Sequence, residues 1–141
     1  MKFVAIASIA TALLAAPAFA EGDAEAGEKE FKKCKSCHMV VDGDNEIVKG
    51  GKTGPNLFGL PGRVVGSEDF RYGKDLVSVG EAGLVWDEAE FIAYSADPKE
   101  WLKEKTGDSK AKSKMSFKLK DAEDAANIWA FLVSVSPEAG S

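Results

Sequence analysis

The sequence predicts an all-α domain in which about four to five helices are joined by long loops. Apolar residues recur at helical spacing in several short segments, most of them opened by an aspartate. Between residues 39 and 66, Gly43, Gly50, Gly51, Gly54, Pro55, Gly59, Pro61, Gly62 and Gly66 break helical and strand periodicity alike, so long structured loops are implied. No run of alternating apolar and polar residues is long enough to suggest a sheet, and no internal repeat is present.

Asp23 is a candidate N-cap for a first helix running up to Cys34. Glu25 and Glu28 complement the dipole of its first turns, and Ala24, Gly27 and Phe31 recur on one face. Short helices are expected around Asp69 to Val79 and from Asp87 to Ala96. Another follows Pro98, since proline is tolerated in a first helical turn. Asp121 can cap a final helix in which Ala125, Ile128, Leu132 and Val135 share one face, with Pro137 ending it.

A chain of 141 residues suffices for one domain and not for two. Hydrophobic residues at 45% and charged residues at 29% exclude both a disordered chain and a multi-span membrane protein. With one His and two Cys, the chain lacks the four ligands of a closed Cys/His zinc site. A net charge of −5 argues against a dedicated nucleic-acid binder, which carries a basic excess to displace phosphate counterions.

Residues 1–20 read as a cleavable signal peptide: Met1-Lys2 supplies a positive start, Phe3 to Ala16 is apolar, and Pro17-Ala18-Phe19-Ala20 ends in the small-x-small pattern that signal peptidases accept. The apolar run is shorter than the ~20 residues that span a bilayer, which weighs against a membrane anchor. Cleavage after Ala20 leaves residues 21–141 as one exported domain with seventeen basic and twenty-three acidic residues, a charge of −6.

Cys34-Lys35-Ser36-Cys37-His38 is a C-x-x-C-H motif, and it contains every Cys and His of the chain. Its spacing lets two thiols add to the two vinyl groups of a haem while the adjacent imidazole reaches the iron. A dithiol redox pair would ask for a βαβ context that the sequence does not offer, and a small disulfide loop would leave His38 without a role. Covalent haem attachment in bacteria takes place outside the cytoplasm, so the expected signal peptide agrees with the motif.

An iron held by His38 has one axial position left. After cleavage only Met39 and Met115 remain as thioethers, and Met39 is bonded next to His38, so it cannot reach the opposite porphyrin face. Met115 could instead be a gap-filling core residue, but it lies in the polar run Lys112-Ser113-Lys114-Met115-Ser116-Phe117-Lys118, without an amphipathic pattern. His/Met ligation raises the reduction potential through the soft thioether and fills the site that O₂ or peroxide would otherwise take.

Over nearly all of residues 21–136 the chain resembles class I c-type cytochromes, and within them the bacterial cytochrome c2 group with its long Met loop. The matching stretches are Gly22-Asp23-Ala24-Glu25-Ala26-Gly27, Cys34 to His38, Lys52-Thr53-Gly54-Pro55-Asn56-Leu57, Gly59-Leu60-Pro61-Gly62-Arg63, Trp86-Asp87-Glu88, Asp97-Pro98, Lys114-Met115-Ser116-Phe117 and Asn127-Ile128-Trp129-Ala130-Phe131-Leu132. The resemblance implies a cytochrome c fold around one covalently bound haem c, with Gly27 and Phe31 packed against Ile128 and Phe131. It implies that the Pro55 carbonyl accepts the proton of the free His38 ring nitrogen and that Arg63, Tyr72 and Trp86 bond the haem propionates. It also sets Tyr94 near the Met sulfur and Phe117 at the haem rim. One departure is that Lys103 to Ser113 is longer than in the mitochondrial relatives.

Residues 103–120 hold seven lysines against Glu104 and Asp108, whereas residues 21–30 and 121–141 are each net acidic. Lys112, Lys114 and Lys118 beside Met115, with Lys32, Lys33 and Lys35 beside the Cys motif, would converge on one porphyrin edge and steer it toward acidic docking patches. The resemblance implies a periplasmic, monomeric carrier that is not an enzyme, taking an electron from the cytochrome bc1 complex and passing it to a photosynthetic reaction centre or a cytochrome c oxidase. Two other readings stay open: a haem peroxidase or gas binder with a displaceable sixth ligand, and a haem-bearing subunit of a larger oxidoreductase, which would expose a large apolar patch.

Overall fold

The structure is a computed structural model that describes residues 21–137, and the expected leader Met1–Ala20 lies outside the described residues. In chain order the elements are α1 (Ala24–Glu30), tightening into a 3-10 turn at Phe31–Lys33, then β1 (Val40–Asp42) and β2 (Asn45–Val48). They are followed by α2 (Lys74–Glu81), α3 (Glu88–Ala96), α4 (Pro98–Thr106) and α5 (Ala122–Val135).

Four of the helices start where an aspartate side chain takes up backbone N–H groups that would otherwise have no partner. Asp23 accepts from Glu25 and Ala26, Asp87 from Glu90, Asp97 from Glu100, and Asp121 from Glu123 and Asp124. α2 is the exception, because Gly73 precedes it without a side-chain cap. That helix begins later than the expected Asp69. Phe70 and Tyr72 instead stand edge to face at 5.1 Å and both line the same cleft. Residues two apart on a helix do not face each other, so this arrangement requires a non-helical backbone.

A short antiparallel hairpin corrects the expectation of no sheet. Val40 pairs with Val48, Val41 with Glu46 and Asp42 with Asn45, with an irregularity between Val40 and Val41. The irregular register and half-exposed β2 erase the alternation that a strand normally shows, while the turn at Gly43-Asp44 falls in the glycine-dense stretch read as loop.

The core is built where α1 crosses α5. A Cβ on Gly27 would lie 1.9 Å from the Asn127 carbonyl oxygen, so only glycine permits this approach. Phe31 packs on Phe131 with ring centroids 5.7 Å apart, as the family resemblance implied, and Ile128 and Leu132 are fully buried beside them. Full burial of each such side chain contributes about 1.5–3 kcal/mol. The Asp23 N–H donates to Asn127 Oδ1 at 2.8 Å, and Lys33 pairs with Asp124, tying both ends of α1 to α5. Phe91 of α3 meets Trp129 of α5 at 5.4 Å. Between α3 and α4, Trp86 stacks on Trp101 at 5.5 Å with Tyr94 edge-on to both.

Candidate haem site

Cys34, Cys37 and His38 are spaced i, i+3 and i+4, the spacing that puts side chains on one side of a helical turn. The backbone makes that turn: the Phe31 carbonyl accepts from Cys34 and Lys35, and the Cys34 carbonyl from Cys37 at 3.1 Å and His38 at 2.9 Å. The following loop is laid back over the motif, with the Gly51 N–H on the Lys35 carbonyl and the Gly54 N–H on the Cys37 carbonyl.

His38 Nδ1 lies 2.8 Å from the Pro55 carbonyl oxygen. A carbonyl can only accept, so Nδ1 carries the proton and Nε2 is left with a free lone pair. Burial lowers the His38 pKa and so favours the neutral imidazole that binds metals, while the Pro55 hydrogen bond acts in the opposite direction and is outweighed. Gly54 makes room for the ring: a Cβ there would stand 2.4 Å from Cε1. Burial pushes the Cys34 thiol up to about 11, while Thr53 and Ser36, by hydrogen bonding, lower that of the more exposed Cys37.

These groups open on a cleft of about 330 Å³. Its apolar lining includes Leu57, Leu60, Trp86, Phe91, Leu102 and Leu119, and residues 112–117 contribute Met115 and Phe117. Of the residues expected at the site, Cys34, Cys37, His38, Pro55, Tyr72, Trp86, Tyr94, Met115 and Phe117 all line this one cleft. Arg63 stands behind it instead. Its guanidinium donates to the carbonyls of Asn56 and Phe58 and pairs with Glu68 at 3.2 Å, beside the Tyr72 phenol. Burial raises the pKa of both tyrosines, so Tyr72 and Tyr94 are hydrogen-bond donors at neutral pH.

Sequence reasoning missed three residues that fasten the site. The Asn56 side chain accepts from the Val41 and Phe58 N–H groups and donates to the Val41 carbonyl at 2.7 Å, pinning the Pro55 turn to β1. The Ser113 hydroxyl donates to the Met115 carbonyl at 2.8 Å, accepts the Met115 N–H at 3.1 Å, and lies beside the Tyr94 phenol. Asp75 takes the Lys112 N–H at 2.8 Å. Asn56 and Ser113 carry local signals, an Asx turn after proline and its serine counterpart, whereas Asp75 carries none.

The six expected docking lysines divide into two sets. Lys33 pairs with Asp124, Lys114 donates to the Arg71 carbonyl, and Lys118 pairs with Asp97 at 2.7 Å. Lys32, Lys35 and Lys112 are exposed, and their side chains make no hydrogen bond among the described residues. The long segment after α4 is compact: Thr106 and Asp108 bond the following backbone, and Ala111 is buried.

The donor set fits a haem: an imidazole with Nε2 free, two thiols on one turn, a thioether in the same cleft, and apolar walls. The chain matches none of the protein-family models it was scanned against. It is similar to cytochrome c-551 of Roseobacter denitrificans, with 58% identity over 129 residues that make up 91% of each chain. The chain belongs to the class I cytochromes c, in the cytochrome c2 group.

Further similarities agree with that membership. Cytochrome c2 of Cereibacter sphaeroides is 51% identical over 142 residues, 96% of this chain and 98% of that one. The crystal structure of ferric cytochrome c-550 from Paracoccus versutus superposes with a TM-score of 0.78 at 56% identity, covering 83% of this chain and 100% of that one. The fold is that of cytochrome c, and this cytochrome's relatives are haem-based electron carriers. Among the described residues no helix is long and apolar enough to cross a membrane.

Proposed function

We propose that this c2-type cytochrome is a periplasmic one-electron carrier and not an enzyme. Cys34 and Cys37 would hold the haem through thioethers, and His38 Nε2 and Met115 would be its axial ligands. Haem, when bound, supplies one-electron Fe(III)/Fe(II) chemistry. The observation that carries this reading is the 2.8 Å contact between His38 Nδ1 and the Pro55 carbonyl, which orients the ring and makes Nε2 a stronger donor. Trp86, Tyr72 and, through Tyr72, Arg63 would bond the propionates, offsetting the cost of carboxylates at an apolar crevice. Tyr94 and Ser113 orient the Met115 segment, the two Ser113 bonds holding the Met115 backbone. Phe117, 43% exposed at the cleft, would form the rim where a partner approaches.

Residues 1–20 would direct export and be removed after Ala20. The donor would be the cytochrome bc1 complex and the acceptor a photosynthetic reaction centre or cytochrome c oxidase, met through an acidic patch. Lys32, Lys35 and Lys112 have ammonium groups free for that contact, whereas Lys33, Lys114 and Lys118 would have to leave internal partners.

Visible and near-infrared spectra of natively matured protein test the ligand set. Met115→Ala is expected to lose the sulfur-to-iron charge-transfer band, and an unchanged band would assign the sixth position to another group. Mass spectrometry is expected to return the chain from Glu21 plus one haem, and the bare chain mass would reject covalent attachment.

A further inference from the structure

Residues 112–119 carry Met115 but form neither helix nor strand, so their course depends on bonds to other parts of the fold. On the trailing side, the Leu119 N–H reaches the Ser95 carbonyl of α3 at 2.7 Å. On the leading side, the Lys112 N–H donates to Asp75 Oδ2 at 2.8 Å, across 37 residues of chain. Asp75 sits in the first turn of α2, the one helix without a side-chain N-cap.

We propose that Asp75 is a positioning residue: its carboxylate holds the Lys112 N–H and so sets how the Met115 segment enters the haem cleft. The inference rests on the reading of Met115 as an iron ligand. A hydrogen bond to an ionised acceptor is about twice as strong as a neutral one. Asp75 and Lys112 lie toward the surface, so losing the bond frees this segment locally and leaves the buried core intact. The Lys114 ammonium on the Arg71 carbonyl lies on the same side, but its flexible stem restrains the backbone less than a bond to the peptide itself.

A carboxylate in a first helical turn also complements the helix dipole, and two variants separate the roles. Asp75→Asn loses the charge but keeps an acceptor oxygen, while Asp75→Ala loses both. In the holoprotein, amide hydrogen exchange at Lys112 is expected to be about tenfold or more faster in the Ala variant and to fall between that and wild type in the Asn variant, which keeps a weaker, neutral acceptor. The charge-transfer band is expected to disappear on heating well before the helical circular dichroism in the Ala variant only. Equal effects in both variants, or an unchanged Lys112 exchange rate in Asp75→Ala, would overturn the proposal. Amide exchange reports on the tether whatever binds the iron. A band that survives in Met115→Ala would therefore reject the ligand reading alone.

Discussion

Replacing Gly27 by alanine sets two effects of opposite sign against each other. Helix propensity favours alanine in α1 by about 1 kcal/mol. The packing opposes it: the new Cβ would stand 1.9 Å from the Asn127 carbonyl oxygen, 2.4 Å from its carbon and 2.9 Å from the Ile128 nitrogen. All three are backbone atoms of α5, so no side-chain rotation relieves the clash. Restoring ordinary contact requires α1 to retreat by roughly 1.5 Å, which forfeits half or more of the dispersion well across the interface. Phe31, Ile128, Phe131 and Leu132 meet there. Losing roughly half the burial of two of them costs about 1.5–3 kcal/mol. The net expectation for Gly27→Ala is a destabilisation of about 0.5–2 kcal/mol, the packing loss less the propensity gain. Guanidinium unfolding followed by circular dichroism measures it as a lowered midpoint at unchanged slope. A midpoint equal to or above wild type would refute the close-crossing argument.

Gly54→Ala would drive a Cβ into the His38 ring, 2.4 Å from Cε1, and is expected to lower haem incorporation or perturb axial ligation, read from holoprotein yield and the visible spectrum. Lys118, by hydrogen bonding, and the Glu100 N–H hold Asp97 below its ordinary value of 3.8. A lowered carboxyl contributes stability that is present above that value and fades as pH falls through the folded one. Lys118→Ala is therefore expected to unfold at lower urea than wild type near neutral pH, with the gap closing in strong acid. Electron transfer to an acidic partner is expected to slow as ionic strength rises, because screening acts over about 10 Å at 0.1 M salt. Charge reversal at Lys32, Lys35 or Lys112 should flatten that dependence in stopped-flow measurements, and a salt-independent rate would count against docking through this edge.

The turn that carries the C-x-x-C-H motif was legible because it is contiguous. Cys34, Cys37 and His38 occupy one turn, and they are the only Cys and His of the chain. The starts of α1, α3 and α5 were legible from the aspartates that cap them and that of α4 from Pro98, since each signal lies within three residues of its effect. α2 was misplaced because Gly73 offers no cap and because Phe70 and Tyr72 are held by the cleft rather than by helical spacing. The hairpin was hidden by its irregular register. Asp75 meets the Lys112 N–H across 37 residues of chain, a partner brought near only by folding, and no local pattern marks the ends of such a bond.

Stability and site geometry are held by different parts of this molecule. The crossing of α1 and α5 buries the side chains that hold the fold together but contributes few of the atoms lining the cleft. Much of the cleft comes from segments 34–38, 53–57 and 112–117, which lack long helices or strands. They are fastened by individual hydrogen bonds, such as Gly54 to Cys37, Leu57 to Met39 and Lys112 to Asp75. A core variant and a fastener variant should therefore dissociate. Gly27→Ala should lower the unfolding midpoint while the folded protein keeps its wild-type spectrum. Asp75→Ala should keep the midpoint while the band that reports Met115 becomes heat-labile. If both variants moved both readouts together, the fold and the site would be one cooperative unit, and the division drawn from these hydrogen bonds would fail.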